Sequence, residues 1–326
     1  MTHKLIPLDS KNEWKDALKG IDHSFGHTWD HCYSMYLTTG YDTYLYCFEK
    51  DGVRKVCPII ERIFSGYTDI AKPFGISGFT GNGVHPDFHS EWQNFVSEKK
   101  YISGYLGLSP IYNSTGLFPE TDLFNYTSLY LLDLKPSMEM ILKNMSRNRR
   151  RQYRQWKKVS NELVTDNKPI ETFFHNHYED FLIQKKASKA YYLSSETISQ
   201  LLESDDVFAV GVEKSGRLVA STIFAFTKHV GDALLHCSLP EERDHSALLI
   251  WHAISRFKKN GIPVMNFGGA NSKSLAEFKE RFGAISKPMI SIKQIYRKDI
   301  YDLLCKKVNA DPNDMEGFFP AYRKNY

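Results

Sequence analysis

The sequence predicts an α/β chain of the α+β kind, with two domains that each build a mixed, largely antiparallel sheet flanked by helices. Three observations predict it. The chain has 326 residues, a length that favours about two domains, each large enough to bury its own core. Strand-like runs joined by tight turn signals occur in both halves, with amphipathic helical runs on either side of them. The order of elements in the second half recurs more roughly in the first, although no sequence identity links the halves.

In the first half, residues 11–39 read as helix, because Trp14 and Leu18, then Trp29, Tyr33 and Tyr36, recur at helical spacing. Residues 43–49 and 53–62 read as the strands of a hairpin, since Lys50-Asp51-Gly52 carries the Asp-Gly pair that suits a two-residue turn. Gly75, Gly78, Gly81 and Gly83 predict a loop, being too many glycines for a strand interior. Helical and strand-like runs follow to Asp133. Pro136 closes the first domain, residues 1–136, and Ser137 caps the first helix of the second, residues 137–326.

That helix lines Met138, Ile141, Leu142 and Met145 on one face and runs on into residues 147–158. A second amphipathic helix carries Phe173, Phe174, Tyr178, Phe181 and Leu182, and a third opens at Ser194 or Ser195. Residues 207–213, 217–227 and 233–239 follow as strands, and the short turns between them predict an antiparallel meander. A helix over Ala247, Ile250, Ile254 and Phe257 ends at Asn260-Gly261 and leads into a strand at 264–267.

The stretch Asn266-Phe267-Gly268-Gly269-Ala270 reads as a buried strand and glycine turn, followed by a helix with both ends marked. Ser274 and Glu277 have capping-box spacing, and Gly283 stands where a left-handed C-terminal cap is needed. Leu275, Phe278 and Phe282 form one apolar stripe, and Lys279 falls on its edge. An ammonium there must snorkel to water or find a polar partner, because an unpaired buried charge is costly.

This region resembles the FemAB-type acyltransferases, tandem-domain relatives of the GNAT N-acyltransferases. The resemblance runs through Leu235-His236-Cys237-Ser238-Leu239, the helix around residues 248–257, Asn266-Phe267-Gly268-Gly269 and Phe278-Lys279-Glu280-Arg281-Phe282-Gly283. Asp69-Ile70-Ala71-Lys72-Pro73-Phe74-Gly75 is similar to the family's D-x-x-x-P-[YF]-G run in the first domain. Ser146-Arg147-Asn148-Arg149-Arg150-Arg151-Gln152-Tyr153-Arg154 is similar to its S-x-x-x-R-x-x-[IY]-R helix. Helix, helix, three antiparallel strands, helix and strand is also the GNAT order of elements.

The resemblance implies two GNAT-like domains, the N-terminal one on the acceptor side and the C-terminal one on the donor side. It implies transfer of an acyl or aminoacyl group, from acyl-CoA or aminoacyl-tRNA, to an amine of a cell-envelope precursor such as an amino sugar or peptidoglycan peptide, free or lipid-linked. Lys279 would act at the transferred acyl group with Phe278 beside it, and a cation at a developing oxyanion is a physically sensible role. Asp69, Lys72, Phe74 and Gly75 would belong to the acceptor-side loop, with Gly268 and Gly269 also binding substrate.

Other residues are weighed on chemistry alone. Arg147, Arg150, Arg151 and Arg154 lie in a run, residues 143–158, that contains no acid, and guanidinium groups clamp phosphate bidentately. The run suits an RNA acceptor stem, a nucleotide-diphosphate or an anionic membrane surface, or else a solvated face. His236 alternates into a meander strand, where it is a candidate general base or a satisfied strand histidine. The approach to the helix after the meander, Pro240-Glu241-Glu242-Arg243-Asp244-His245-Ser246-Ala247, lacks the glycines that cradle a CoA pyrophosphate. His23, His27 and His31 are spaced i, i+4, i+8, but no carboxylate cluster accompanies them, so no metal is expected.

The formal charge of +4 is too small to imply nucleic-acid binding by itself. Five scattered cysteines without a C-x-x-C pair indicate neither a disulfide framework nor a zinc site and fit a reducing cytoplasm. The N-terminus has no apolar signal region and no stretch approaches a membrane span, while an aromatic share of 14% leaves peripheral membrane contact open. The sequence therefore predicts a cytoplasmic N-acyltransferase of undefined oligomeric state. The alternative is a non-catalytic module that uses the basic helix to hold tRNA, nucleotide-sugar or anionic lipid.

Overall fold

A computed structural model describes residues 2–112 and 116–324. The chain divides into two compact units, Met1–Thr127 with Pro288–Tyr326, and Ser128–Lys287. The first unit opens with β1 (Thr2–Pro7), α1 (Lys11–Leu18), α2 (Trp29–Thr39), β2 (Thr43–Lys50), β3 (Val53–Phe64) and β4 (Tyr67–Ala71). It continues through β5 (Thr80–Gly81), α3 (Phe88–Glu98), β6 (Ser103–Leu108) and the start of β7 (Leu123–Asp133). The helix expected over residues 11–39 is two helices. Gly20, at φ +76°, lies just beyond the end of α1, and Thr28 caps α2 by accepting from the His31 amide.

The second unit carries α4 (Met138–Lys143), α5 (Arg147–Val159), α6 (Asn167–Gln184), α7 (Ser195–Leu202), β8 (Val207–Lys214) and β9 (Arg217–Phe226). Then come β10 (Gly231–Ser238), α8 (Ser246–Lys259), β11 (Val264–Gly269) and α9 (Lys273–Glu280). The chain passes back to the first unit within β12 (Ile285–Ile295), followed by α10 (Lys298–Lys307). Among the described residues no helix is long and apolar enough to cross a membrane.

Both units build the expected sheet. In the first, β1, β2, β3 and β4 pair antiparallel in sequence order, β6 lies parallel to β4, and β12 lies antiparallel to β6. In the second, β8, β9 and β10 form the meander, β11 lies parallel to β10, and β7 lies antiparallel to β11. A parallel pair cannot be joined by a tight turn, and α3 and α8 supply the two crossovers. The hairpin turns use left-handed pairs, Asp51-Gly52 at φ 51° and 76° and Ser215-Gly216 at 52° and 77°, which match the twist of the flanking strands.

A single cut at residue 136 does not describe these units. The first unit's sheet is completed by β12, whose Ile292 is fully buried in a core with Tyr46, Phe79 and Trp92. The second unit's sheet is edged by β7, whose Leu132 packs in a core with Phe224, Trp251, Phe257 and Phe282. This packing accords with the division that places residues 288–326 in the first unit and 128–136 in the second.

Candidate active site

In the second unit β10 and β11 pair through two rungs, Gly231 with Met265 and Asp232 with Asn266, and then part into a fork. At its apex Asn266, 1% exposed, donates from Nδ2 to Asp232 Oδ1 over 2.9 Å and accepts at Oδ1 from the Gly268 amide over 2.8 Å. Beyond Asn266, β11 bulges by one residue against β7, since Asn266 faces Leu131 while Gly269 faces Leu129. Gly268 takes φ +73° there, a conformation that costs glycine little.

The bulge receives Lys279. Its ammonium donates to the carbonyl of Gly269, lies 5.5 Å from the centre of the Tyr130 ring, and would stand 4.0 Å from a Cβ placed on Gly268. Lys279 is 6% exposed, and burial pulls its amine down to about 8. Gly269 itself is exposed, so the amine lies just inside the protein surface.

The helix carrying Lys279 differs from expectation in two respects. Its cap is Ser272, whose Oγ accepts from the Leu275 amide over 3.3 Å, and not Ser274. Its buried face is also not the apolar stripe. Leu275 is 37% exposed and Phe278 half-buried, whereas Lys279 is the buried residue of α9 and Phe282 packs just beyond its end. Periodicity locates apolar residues, but docking chooses the face. Here the Arg149 guanidinium lies 4.4 Å from the Phe278 ring and 4.3 Å from the Phe282 ring, leaving Lys279 to the bulge.

Among the described residues no contact links His236 to this group. Its Nδ1 meets Thr222 Oγ1 at 2.8 Å, its Nε2 meets Ser246 Oγ at 3.1 Å, and Phe181 packs edge-on against its ring. Burial and the nearby Lys185 charge lower it to about 4, so it is a neutral, satisfied strand histidine near neutral pH.

In the first unit Asp69 is fully buried and bound by Arg62 at 2.6 Å, Arg323 at 2.7 Å and Tyr322 at 3.0 Å. It clamps the C-terminal segment. The loop beyond it is pinned through its carbonyls: His31 holds Phe74 at 2.7 Å, Lys72 holds Gly75 at 2.9 Å, Ser24 holds Ile76 at 2.8 Å and His27 holds Gly78 at 2.9 Å. A Cβ on Gly75, at φ +101°, would come within 2.8 Å of His31 Nε2. Burial lowers the Lys72 amine to about 8. His27 and His31 thus organise this loop, and among the described residues no three His, Cys, Asp or Glu side chains converge as metal ligands.

On α5, Arg147, Arg150, Arg151, Arg154, Lys157 and Lys158 are exposed, and none forms an ion pair among the described residues. Arg149 alone of the arginines turns inward, 5% exposed. It shares the inner face with Tyr153 and Trp156, at i, i+4 and i+7, a spacing that could have singled it out of the basic run. At the approach to α8, Glu242 pairs with Lys214 at 2.6 Å and His245 at 2.9 Å.

The sequence matches no protein-family model and no curated protein. The structure is similar to the crystal structure of FemX, with a TM-score of 0.68 at 12% identity over 93% of this chain and 99% of that one. It is also similar to L-PGS from Bacillus licheniformis, with a TM-score of 0.55 at 12% identity over 86% of this chain and 91% of that one. A conserved protein of unknown function from Bacteroides thetaiotaomicron gives a TM-score of 0.59 at 10% identity, covering 90% of this chain and 99% of its own. The chain shares the fold of FemX and of L-PGS.

Proposed function

We propose that this chain is an N-acyltransferase in which Lys279 supplies the cation for the oxyanion of the acyl-transfer step. The observation that carries the reading is a buried ammonium seated on an exposed glycine bulge at a strand fork, with no carboxylate in contact with it among the described residues. As the acceptor amine attacks the carbonyl carbon, the carbonyl oxygen gains charge, and an ammonium fixed before the reaction stabilises it without reorganising. The tetrahedral intermediate then expels the donor's alkoxide or thiolate, which takes up the proton that the acceptor amine loses.

An aminoacyl ester of RNA is the donor the surface suits better. Six cations that form no ion pair among the described residues line α5, while a carboxylate, Glu242, occupies the approach to α8 where a CoA pyrophosphate would require donors. The acceptor is the amine of a cell-envelope precursor, as the FemAB-type resemblance implies. Lys279→Ala should lower turnover by about 100-fold or more while leaving the protein folded. Near-normal turnover in the folded variant would refute the assignment.

The basic face also supports a second reading, a binding module without chemistry, because it stands independently of Lys279. Titration with tRNA and with acetyl-CoA at several salt concentrations, alongside a transfer assay, separates the two. Salt-sensitive RNA binding with no transfer by the unaltered protein favours the module.

A further inference from the structure

Arg149 presents a physical puzzle. It is a guanidinium buried with no carboxylate partner among the described residues, in a helix whose other arginines reach water. Burying a charge without a counter-charge is unfavourable, and a methionine or leucine would pack against two phenyl rings at less expense. The side chain must therefore do something that an apolar one cannot.

Its hydrogen bonds show what that is. Nη1 donates to Gln152 Oε1 over 2.5 Å, which anchors the guanidinium to its own helix, and Nη2 donates to the Phe278 carbonyl over 3.4 Å. The Phe278 carbonyl belongs to the same planar peptide unit as the Lys279 amide. A second tie lies alongside, where the Ser146 amide at the start of α5 donates to the Arg281 carbonyl over 3.1 Å. Both acceptors lie at the C-terminal end of α9, where carbonyls lack partners within the helix and the dipole favours a cation. With eight residues, α9 is too short to hold its last turn by itself.

We infer that Arg149 is a positioning residue for Lys279, fixing the peptide plane that carries Lys279 so that the amine is delivered to the Gly268–Gly269 bulge. Contact with both the Phe278 and Phe282 rings fixes the guanidinium's position, and the bond to the Phe278 carbonyl sets the rotation of the helix end. Lysine at this position could reach the carbonyl but could not offer a planar group to the rings as well. The inference rests on the proposed role of Lys279, but its test does not depend on activity alone.

Arg149→Met keeps the apolar stem and removes the carbonyl donor. The measurements are thermal stability, kcat and KM for donor and acceptor, and the pH profile of Lys279 modification by acetic anhydride, read by peptide mass. The groups that face the amine are the Tyr130 ring and the Gly268 and Gly269 backbone, and its titration midpoint lies at about 8 because of burial. We expect kcat to fall about tenfold to a hundredfold with little change in KM, and the midpoint of modification to rise as the amine gains water. Arg149→Lys should recover part of both. A lower melting point with kcat and midpoint unchanged would reduce Arg149 to packing and overturn the inference. If Arg149→Met does not fold, an unaltered midpoint in Arg149→Lys overturns it equally. An active Lys279→Ala would instead sink the catalytic reading, a separate result.

Discussion

Asn266 and Asp232 face each other across the last rung that β10 and β11 share, joined by a 2.9 Å hydrogen bond from carboxamide to carboxylate. The other end of the carboxamide takes the Gly268 amide, so one side chain links the fork's apex to the bulge that seats Lys279.

Asn266→Ala removes both bonds, one to the buried Asp232 carboxylate and one from the Gly268 amide. It should destabilise the protein by about 2–4 kcal/mol. Urea unfolding measures this, and a loss under about 0.5 kcal/mol would mean that water replaces the carboxamide.

Lys279→Met should make the protein more stable near neutral pH. The amine's fall from 10.5 to about 8 corresponds to a burial penalty of about 3 kcal/mol, of which about 1–3 should be recovered by an apolar side chain of similar length. The folded state binds this proton less tightly than the unfolded chain. The penalty is therefore complete below pH 8 and shrinks as pH rises toward 10.5. Unfolding at pH 7 and pH 10 should show the variant's advantage narrowing, and an equal advantage at both would contradict the burial argument.

Transfer should decline above about pH 8, as Lys279 loses the proton that makes it a cation. Lys72 titrates in the same range, so the variants decide the source. Lys279→Arg stays protonated and should abolish the decline in whatever activity remains. A decline that persists in Lys279→Arg and disappears in Lys72→Arg would assign it to the other lysine.

Asp69→Asn should cost about 3–5 kcal/mol, because the Arg62 and Arg323 guanidiniums lose the buried carboxylate between them. Protease should then cut more readily among residues 310–324. An unchanged cleavage pattern together with a raised acceptor KM would return Asp69 to the substrate role that its motif suggested.

Much of the architecture was legible because it is written locally. Asp51-Gly52 and Ser215-Gly216 specify turns through the conformations they tolerate, and the meander at residues 207–239 follows from alternation between such turns. The sequence also drew attention to Lys279, through a charge beside an apolar stripe. Which side of α9 would be buried was not legible, since that depended on Arg149, 130 positions away, occupying the rings of Phe278 and Phe282. The clamp at Asp69 was illegible for the same kind of reason. Its partners Tyr322 and Arg323 lie at the far end of the chain, and no local pattern announces them.

The return of β12 to the first unit bears on how the chain is made. A ribosome releases residues 1–127 long before Pro288, yet their sheet lacks an edge partner for β6 until that late segment arrives. During that interval β6 exposes unpaired backbone groups, the kind of edge on which nascent chains stick together. Synthesis that stalls or stops short of residue 288 should therefore yield aggregates, even though all of the first 127 residues are present.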